Sequence, residues 1–391
     1  SGAMGYSGHP EYVGCMAIIV AFDAFQAIMF SRLRLQRRPV KFMALKFAFI
    51  IPNVLLNLGI FFILPLLFDK FPAIRELYVR FDYGVGLIFF ANLICTSCVF
   101  LGFIPELKGL GYGFDTGLAK RLLKYSWPLL ILSLVGILNQ VADKIMFTHL
   151  MPGHEGQVQL GIYGACVKIA MIMAMITQAF RYAYEPFVFA KHKDRNSVEA
   201  YADAMKYYII FSLMILLGVI FYLDIFKYII PSSYWSGLKI VPVVLWTYVF
   251  QGIYFNLSFW YKLTDETKWG AYFSLIGLII TLVLQIVGVP KIGYWASCGS
   301  SLVCYFVIML LSYFVGKKHL SIPYDLRSAG KYTLLTLLFL GAYYGGNYGL
   351  NLTNFSPVIT TTLHYVWSTI LMIGFAGLTY KLDLKSLIER K

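Results

Sequence analysis

Ser126-Trp127-Pro128-Leu129-Leu130-Ile131-Leu132-Ser133-Leu134-Val135-Gly136-Ile137-Leu138-Asn139-Gln140-Val141-Ala142-Asp143-Lys144 is the stretch on which the reading of this chain turns. A long apolar run leads into an amide pair and then an acid–base pair, and apolar residues resume at Ile145-Met146-Phe147. The run predicts a membrane helix over about 126–149, because about 20 apolar residues cross a hydrocarbon layer of roughly 30 Å. Asn139 and Asp143 are spaced i, i+4 and share a face, and Gln140 and Lys144 share the next. A charge near the bilayer centre costs roughly 2.5–3.5 kcal/mol on the insertion scale, so this stripe is expected to face other helices or a watery cavity.

The same pattern recurs along the 391 residues. Spans are expected at 11–31, 43–68, 83–104, 126–149, 161–184, 207–230, 240–261, 269–289, 293–315, 332–350 and 357–380. The chain is 59% hydrophobic and 13% charged, against about 25% charged in soluble domains. Barrel strands would alternate with period two, and these runs do not. The longest connections, 105–124 and 185–206, leave no room for a soluble domain. The expected fold class is therefore an all-α polytopic membrane protein of about eleven transmembrane helices.

The formal net charge is +14. Of the 33 Lys and Arg, 23 lie in 32–41, 105–124, 185–206, 262–268, 316–331 and 381–391, while the opposite set of connections holds 6. Basic connections stay in the cytoplasm, which puts the C-terminus there. The excess faces anionic lipid, so it calls for the bilayer as partner and for no nucleic acid. With an odd number of spans the start would lie outside, and an odd number of preceding spans is the expected explanation. The six cysteines all sit in apolar runs. Cys95 and Cys98 form a C-x-x-C with no second pair or histidine cluster beside it, so they read as packing residues, and no metal is expected.

Six ionisable side chains lie inside spans: Asp23, Lys46, Asp143, Lys144, Lys168 and Arg181. Asp143 and Lys168 stand at similar depth on consecutive spans and are expected to pair, either structurally or as a proton- or cation-sensitive pair in a translocation cavity. Lys144 points elsewhere and suits an anionic ligand. Arg181 is i, i+4 to Glu185, which offers a local salt bridge; the alternative is a guanidinium fork aimed at phosphate. Pro186 is expected to end that helix. Asp23 shares a face with Gln26, and Lys46 either snorkels to the interface or reaches Asp23. Pro52, Asn53 and Asn57 imply a bend in the second span with polar groups inward. Phe25-Gln26-Ala27-Ile28-Met29-Phe30 returns as Phe250-Gln251-Gly252-Ile253-Tyr254-Phe255, six spans later, as repeated transporter lobes would. No enzyme signature stands out: there is no Gly-rich phosphate loop, no zinc-ligand spacing and no His–carboxylate cluster in a loop.

Four segments resemble bacterial oligosaccharide and polysaccharide flippases of the lipid-linked O-antigen type. They are Tyr125-Ser126-Trp127-Pro128-Leu129, Asn139-Gln140-Val141-Ala142-Asp143-Lys144, Leu160-Gly161-Ile162-Tyr163-Gly164 and Gln178-Ala179-Phe180-Arg181-Tyr182-Ala183-Tyr184-Glu185-Pro186. The resemblance is clearest over about 120–230. Such proteins belong to the multidrug/oligosaccharidyl-lipid/polysaccharide exporter superfamily. It implies two six-helix lobes and two further C-terminal helices, with the eleven spans as helices four to fourteen and the first three missing. The expected domains are then 1–124, the remainder of the N-terminal lobe; 125–316, the C-terminal lobe; and 317–391, the two additional helices and tail. The resemblance also implies flipping of an undecaprenyl-diphosphate-linked oligosaccharide across the inner membrane for surface polysaccharide, O-antigen and lipopolysaccharide assembly, and glycan polymerase machinery as a partner. It implies no cofactor beyond a proton or sodium gradient.

Lys144, Lys168, Arg181, Gln178 and Asn139 form the expected substrate-binding set, and Asp143, Asp23 and Lys46 the expected coupling or structural ion pairs. A cation-coupled multidrug antiporter would favour acids in its cavity, whereas here in-span bases outnumber acids four to two. A membrane polymerase would need a larger extramembrane loop. The topology is testable by cysteine labelling in intact cells on a background without the native cysteines. Glu155→Cys is expected to react with an impermeant reagent and Gln36→Cys to be protected, and the reverse pattern would overturn the orientation.

Overall fold

The computed structural model describes residues 10–384 except 37, 69, 82–83, 108–112, 114, 192–196, 265 and 353–355. Among these, every regular element is helical. The chain divides into two compact units, Ser1–Thr116 and Gly117–Lys391.

The first unit is built from α1 (Pro10–Leu35), α2 (Pro39–Leu58), α3 (Pro72–Arg80), α4 (Val85–Gly102) and the short α5 (Ile104–Leu107). Pro39 opens α2, where its missing N–H leaves no bond unmade. Pro52 lies inside α2, which passes into a π turn at Gly59–Ile63. The asparagines beside Pro52 face inward as expected. Asn57 Nδ2 donates to Asn53 Oδ1 at 2.8 Å, and Asn53 Nδ2 donates to Asn92 Oδ1 on α4 at 3.4 Å. Met29, Phe30, Leu33, Val99 and Phe103 form the core. Gln26, 6% exposed, donates from Nε2 to the Thr96 carbonyl at 2.9 Å and so joins α1 to α4. Without water at hand, a buried amide needs such a partner.

The second unit starts with α6 (Thr116–Leu150), α7 (His154–Lys191), α8 (Ser197–Phe221) and the short α9 (Leu223–Phe226). A 3₁₀ run, Ser232–Ile240, leads into α10 (Val241–Leu257), followed by the short α11 (Phe259–Leu263), α12 (Lys268–Ile292) and α13 (Tyr294–His319). α14 (Leu326–Asn351) and α15 (Pro357–Thr379) close the unit. Its core joins Cys166, Ile169 and Met173 of α7, Leu213 and Leu216 of α8, and Val241 and Leu245 of α10. Asp325 caps α14, accepting from the Ser328 backbone N–H at 3.0 Å and from its hydroxyl at 2.6 Å. These bonds from Ser328, the hydroxyl's first, hold the carboxyl below its usual value.

Nine helices among the described residues are long and apolar enough to cross a membrane. α6 and α14, more polar, occupy the expected fourth and tenth spans. Two helices differ in their boundaries from expectation. α7 begins at His154 and runs through Pro186 to Lys191, because a proline removes only one bond of so long a ladder. The sixth span is Ser197–Phe221, and the residues after it form α9 and short 3₁₀ turns instead of continuing the helix. The two compact units divide at 116, where α6 begins. The last two helices join the second unit because α14 and α15 both pack on α8. Asp383, beyond α15, accepts from Lys206 of α8 and Tyr332 of α14.

Gly252 is where α10 meets α8. A methyl there would overlap the Tyr208 hydroxyl, which is itself bonded to Thr177 Oγ1 on α7 at 2.9 Å. Gly164, by contrast, has open space beside it. Gly252→Ala is expected to destabilise by about 1–3 kcal/mol, as overpacking does, and Gly164→Ala to cause no loss, read as unfolding midpoints in detergent. Equal midpoints would mean that α10 does not depend on this close approach.

Candidate functional site

A cavity of about 400 Å³ lies within the second unit. Four helices supply its walls, three of them through rows spaced by three or four residues, the period that keeps side chains on one face. On α7 the row is Tyr163, Val167, Met171, Ala174, Gln178 and Arg181. On α10 it is Val244, Tyr248, Gln251 and Phe255, and on α13 Cys298, Ser301 and Tyr305. α6 contributes Val141, Asp143 and Lys144. From Tyr163 to Arg181 the α7 row extends about 27 Å, nearly the thickness of the hydrocarbon layer.

Asp143 and Lys144 mark one end. Asp143 is 7% exposed. Its Oδ2 accepts from the Tyr163 hydroxyl at 2.5 Å, and its Oδ1 accepts from the Lys144 backbone N–H at 2.9 Å. The expected Asp143–Lys168 pair does not form. Lys168 is exposed and lies outside the cavity lining. The reason is the early start of α7. Counting from the facing helix ends, Asp143 is about 10 Å deep, Tyr163 about 14 Å and Lys168 about 21 Å. Lys168 is also turned about 140° from the Tyr163 face.

Arg181 marks the other end. Its guanidinium lies 4.7 Å from the centre of the Phe255 ring, and among the described residues it makes no salt bridge. Of the two alternatives for Arg181, the local bond to Glu185 does not form, and Lys262 of α11 takes that carboxylate at 3.6 Å. Gln178 lies one turn away in the same wall. The structure thus brings Asp143, Lys144, Gln178 and Arg181 into one cavity. The side chain of Asn139 lies outside the described residues.

Asp23 and Lys46 meet elsewhere, in a cavity of about 270 Å³ within the first unit, together with Gln26 and Phe30. Among the described residues they form no salt bridge. Lys46 Nζ stands over the Phe30 ring, 4.2 Å from its centre.

Sequence reasoning missed Tyr163, Tyr248 and Tyr305 as cavity residues, and it noticed Gln251 only as part of the repeat. Extending the helical rows from Arg181 and Gln251 would have found Tyr163 and Tyr248; Tyr305 lies on α13, where the sequence reading had no residue to start from.

Residues 128–287 match the MatE family model. That segment holds every lining residue except Cys298, Ser301 and Tyr305 of α13. No curated protein sequence matches the chain significantly. Among solved structures, the lipid II flippase MurJ in an inward closed conformation shares the fold, with a TM-score of 0.61 at 17% identity over 97% of this chain and 88% of that one. The chain thus shares the fold of that structure, and its MatE-matching segment forms most of the cavity wall.

The Tyr163 bond can be separated from the ion pair that it replaces. Tyr163→Phe removes the donor to a buried carboxyl and is expected to cost about 1–3 kcal/mol. Lys168→Gln is expected to stay within about 0.5 kcal/mol, as exposed positions do. A thermal-unfolding cycle pairing Asp143→Asn with Lys168→Gln should be additive; coupling would restore the ion pair.

Proposed function

We propose that this protein flips a lipid-linked oligosaccharide, carried on undecaprenyl diphosphate, from the cytoplasmic to the outer leaflet of a bacterial inner membrane by alternating access. The observation that carries this reading is Arg181. It is a guanidinium in a membrane-embedded cavity, and the nearest carboxylate along its helix is held by another base. A planar fork of this kind suits a diphosphate, which can accept two parallel hydrogen bonds. Lys144, in the same cavity, adds positive charge at the far end. The lipid tail would remain in the bilayer while the head group passes.

The fold shared with a lipid II flippase supports the substrate class. The distribution of Lys and Arg supports a cytoplasmic C-terminus. Surface polysaccharide assembly, of the O-antigen kind, is the setting that suits such a substrate, with glycan polymerase machinery as the consumer of the flipped product. Asp143 is the group through which a proton or sodium gradient would act, since it is the one acid among the described residues that line this cavity. A multidrug antiporter for cations is the weaker reading, because that acid is already bonded to Tyr163.

Complementation of a flippase-deficient strain, read as surface glycan at equal expression, tests the proposal. Arg181→Ala combined with Lys144→Ala is expected to abolish surface glycan. Arg181→Lys keeps the charge and loses the fork, so it should give an intermediate level. Wild-type glycan in the double variant would overturn the reading.

A further inference from the structure

Between the two charged ends, the cavity of the second unit has an uncharged band. Tyr248 and Gln251 of α10 and Ser301 and Tyr305 of α13 line it. Gln251 Nε2 donates to the Tyr305 hydroxyl at 2.8 Å. This bond uses one of the amide's two N–H groups, and an amide also carries a carbonyl acceptor, while the phenol that accepts still has a proton to give.

Helix joining alone does not account for the band. Gln26, the counterpart of Gln251 in the sequence repeat, shows what that task looks like: it is 6% exposed and bonded to a backbone carbonyl. Gln251 is only partly buried, and its partner is a side chain that itself lines the cavity. Here the amide and phenol stand at the wall of an open space.

The position of the band relative to Arg181 narrows the ligand. Arg181 rests on Phe255. Gln251 and Tyr248 stand one and two turns from Phe255 on the same face of α10, about 6 and 10 Å along the axis. In a diphosphate-linked glycan, the first sugar is joined directly to the terminal phosphate. A diphosphate held by Arg181 would therefore bring that sugar to Gln251, Tyr248 and Tyr305. A sugar has an apolar C–H face, which an aromatic ring covers, and a rim of hydroxyls, which amides and phenols bond. A cavity of about 400 Å³ is near the lower end for small-molecule sites, so it takes one or two rings at a time.

We infer that Tyr248, Gln251 and Tyr305 form a subsite that recognises the sugar attached to the diphosphate, and that these residues set which glycan is accepted. The inference rests on the flippase reading above. A site built to hydrogen-bond a substrate hydroxyl discriminates strongly against a ligand that lacks it.

Binding by the full-length protein in nanodiscs tests the subsite, with two probes: undecaprenyl diphosphate, and the same lipid bearing a disaccharide. Wild-type protein is expected to bind the sugar-bearing lipid more tightly. Tyr248→Phe with Gln251→Leu is expected to weaken the sugar-bearing lipid about tenfold, as for the loss of one or two hydrogen bonds. The sugar-free lipid should stay within twofold. Tyr248→Phe alone, which removes a single oxygen, keeps the test valid if the double variant is unstable, and it should weaken only the sugar-bearing lipid. Arg181→Ala is expected to weaken both. Equal weakening of both lipids by the band variants, or equal wild-type affinity for the two, would overturn the subsite and leave the flippase reading standing. Wild-type binding of neither lipid would overturn both.

Discussion

A carboxylic acid placed among apolar helices must be given a hydrogen-bond donor, and in this chain the donor is a tyrosine. The bond from Tyr163 to Asp143 joins α6 to α7 across a very short connection. It fixes which face of α7 looks into the cavity, and with that face come Gln178 and Arg181. A lysine partner would have turned a different stripe inward. The wall opposite depends on the same economy of polar contacts. Gln251 of α10 finds Tyr305 of α13, a neutral bond instead of an ion pair, and on the far side of α7 Thr177 finds Tyr208 of α8 in the same way. Neutral bonds leave the cavity's formal charges at its two ends.

The membrane character, the all-helical class and the polar cavity were legible in the sequence, because each follows from run length or from the cost of exposing charge to lipid. The internal repeat was legible too and has a structural counterpart. Gln26 joins the first expected span to the third, and Gln251 joins the seventh to the ninth. Two six-residue segments in an apolar chain carry little information alone, whereas amides at matching positions that each bond the second helix along, one to a backbone carbonyl and one to a phenol, carry more.

Partner choice was not legible. The Asp143–Lys168 pairing rested on a helix start at 161, and seven further residues of helix moved Lys168 two turns deeper. Helix ends in a membrane protein are set where apolar sequence gives way to polar sequence, and Gln157, Gln159 and Glu155 blur that limit. Arg181 and Glu185 failed to pair for a different reason. Local spacing permitted the bond, and Lys262, about 80 positions away in sequence, was better placed to make it. Sequence spacing reports what neighbours along one helix can do, and it is silent about competitors from another.

The junction at Asp383 has a mechanical meaning. One carboxylate, just beyond α15, is shared by a lysine on α8 and a tyrosine on α14. α8 and the two last helices, more than 100 residues further along the chain, are pinned at a single point near the same end. The last two helices are then passengers on α8, unable to swing on their own at that end. A spectroscopic reporter attached to α15 would therefore register the displacement of α8, and it could be placed there without entering the cavity.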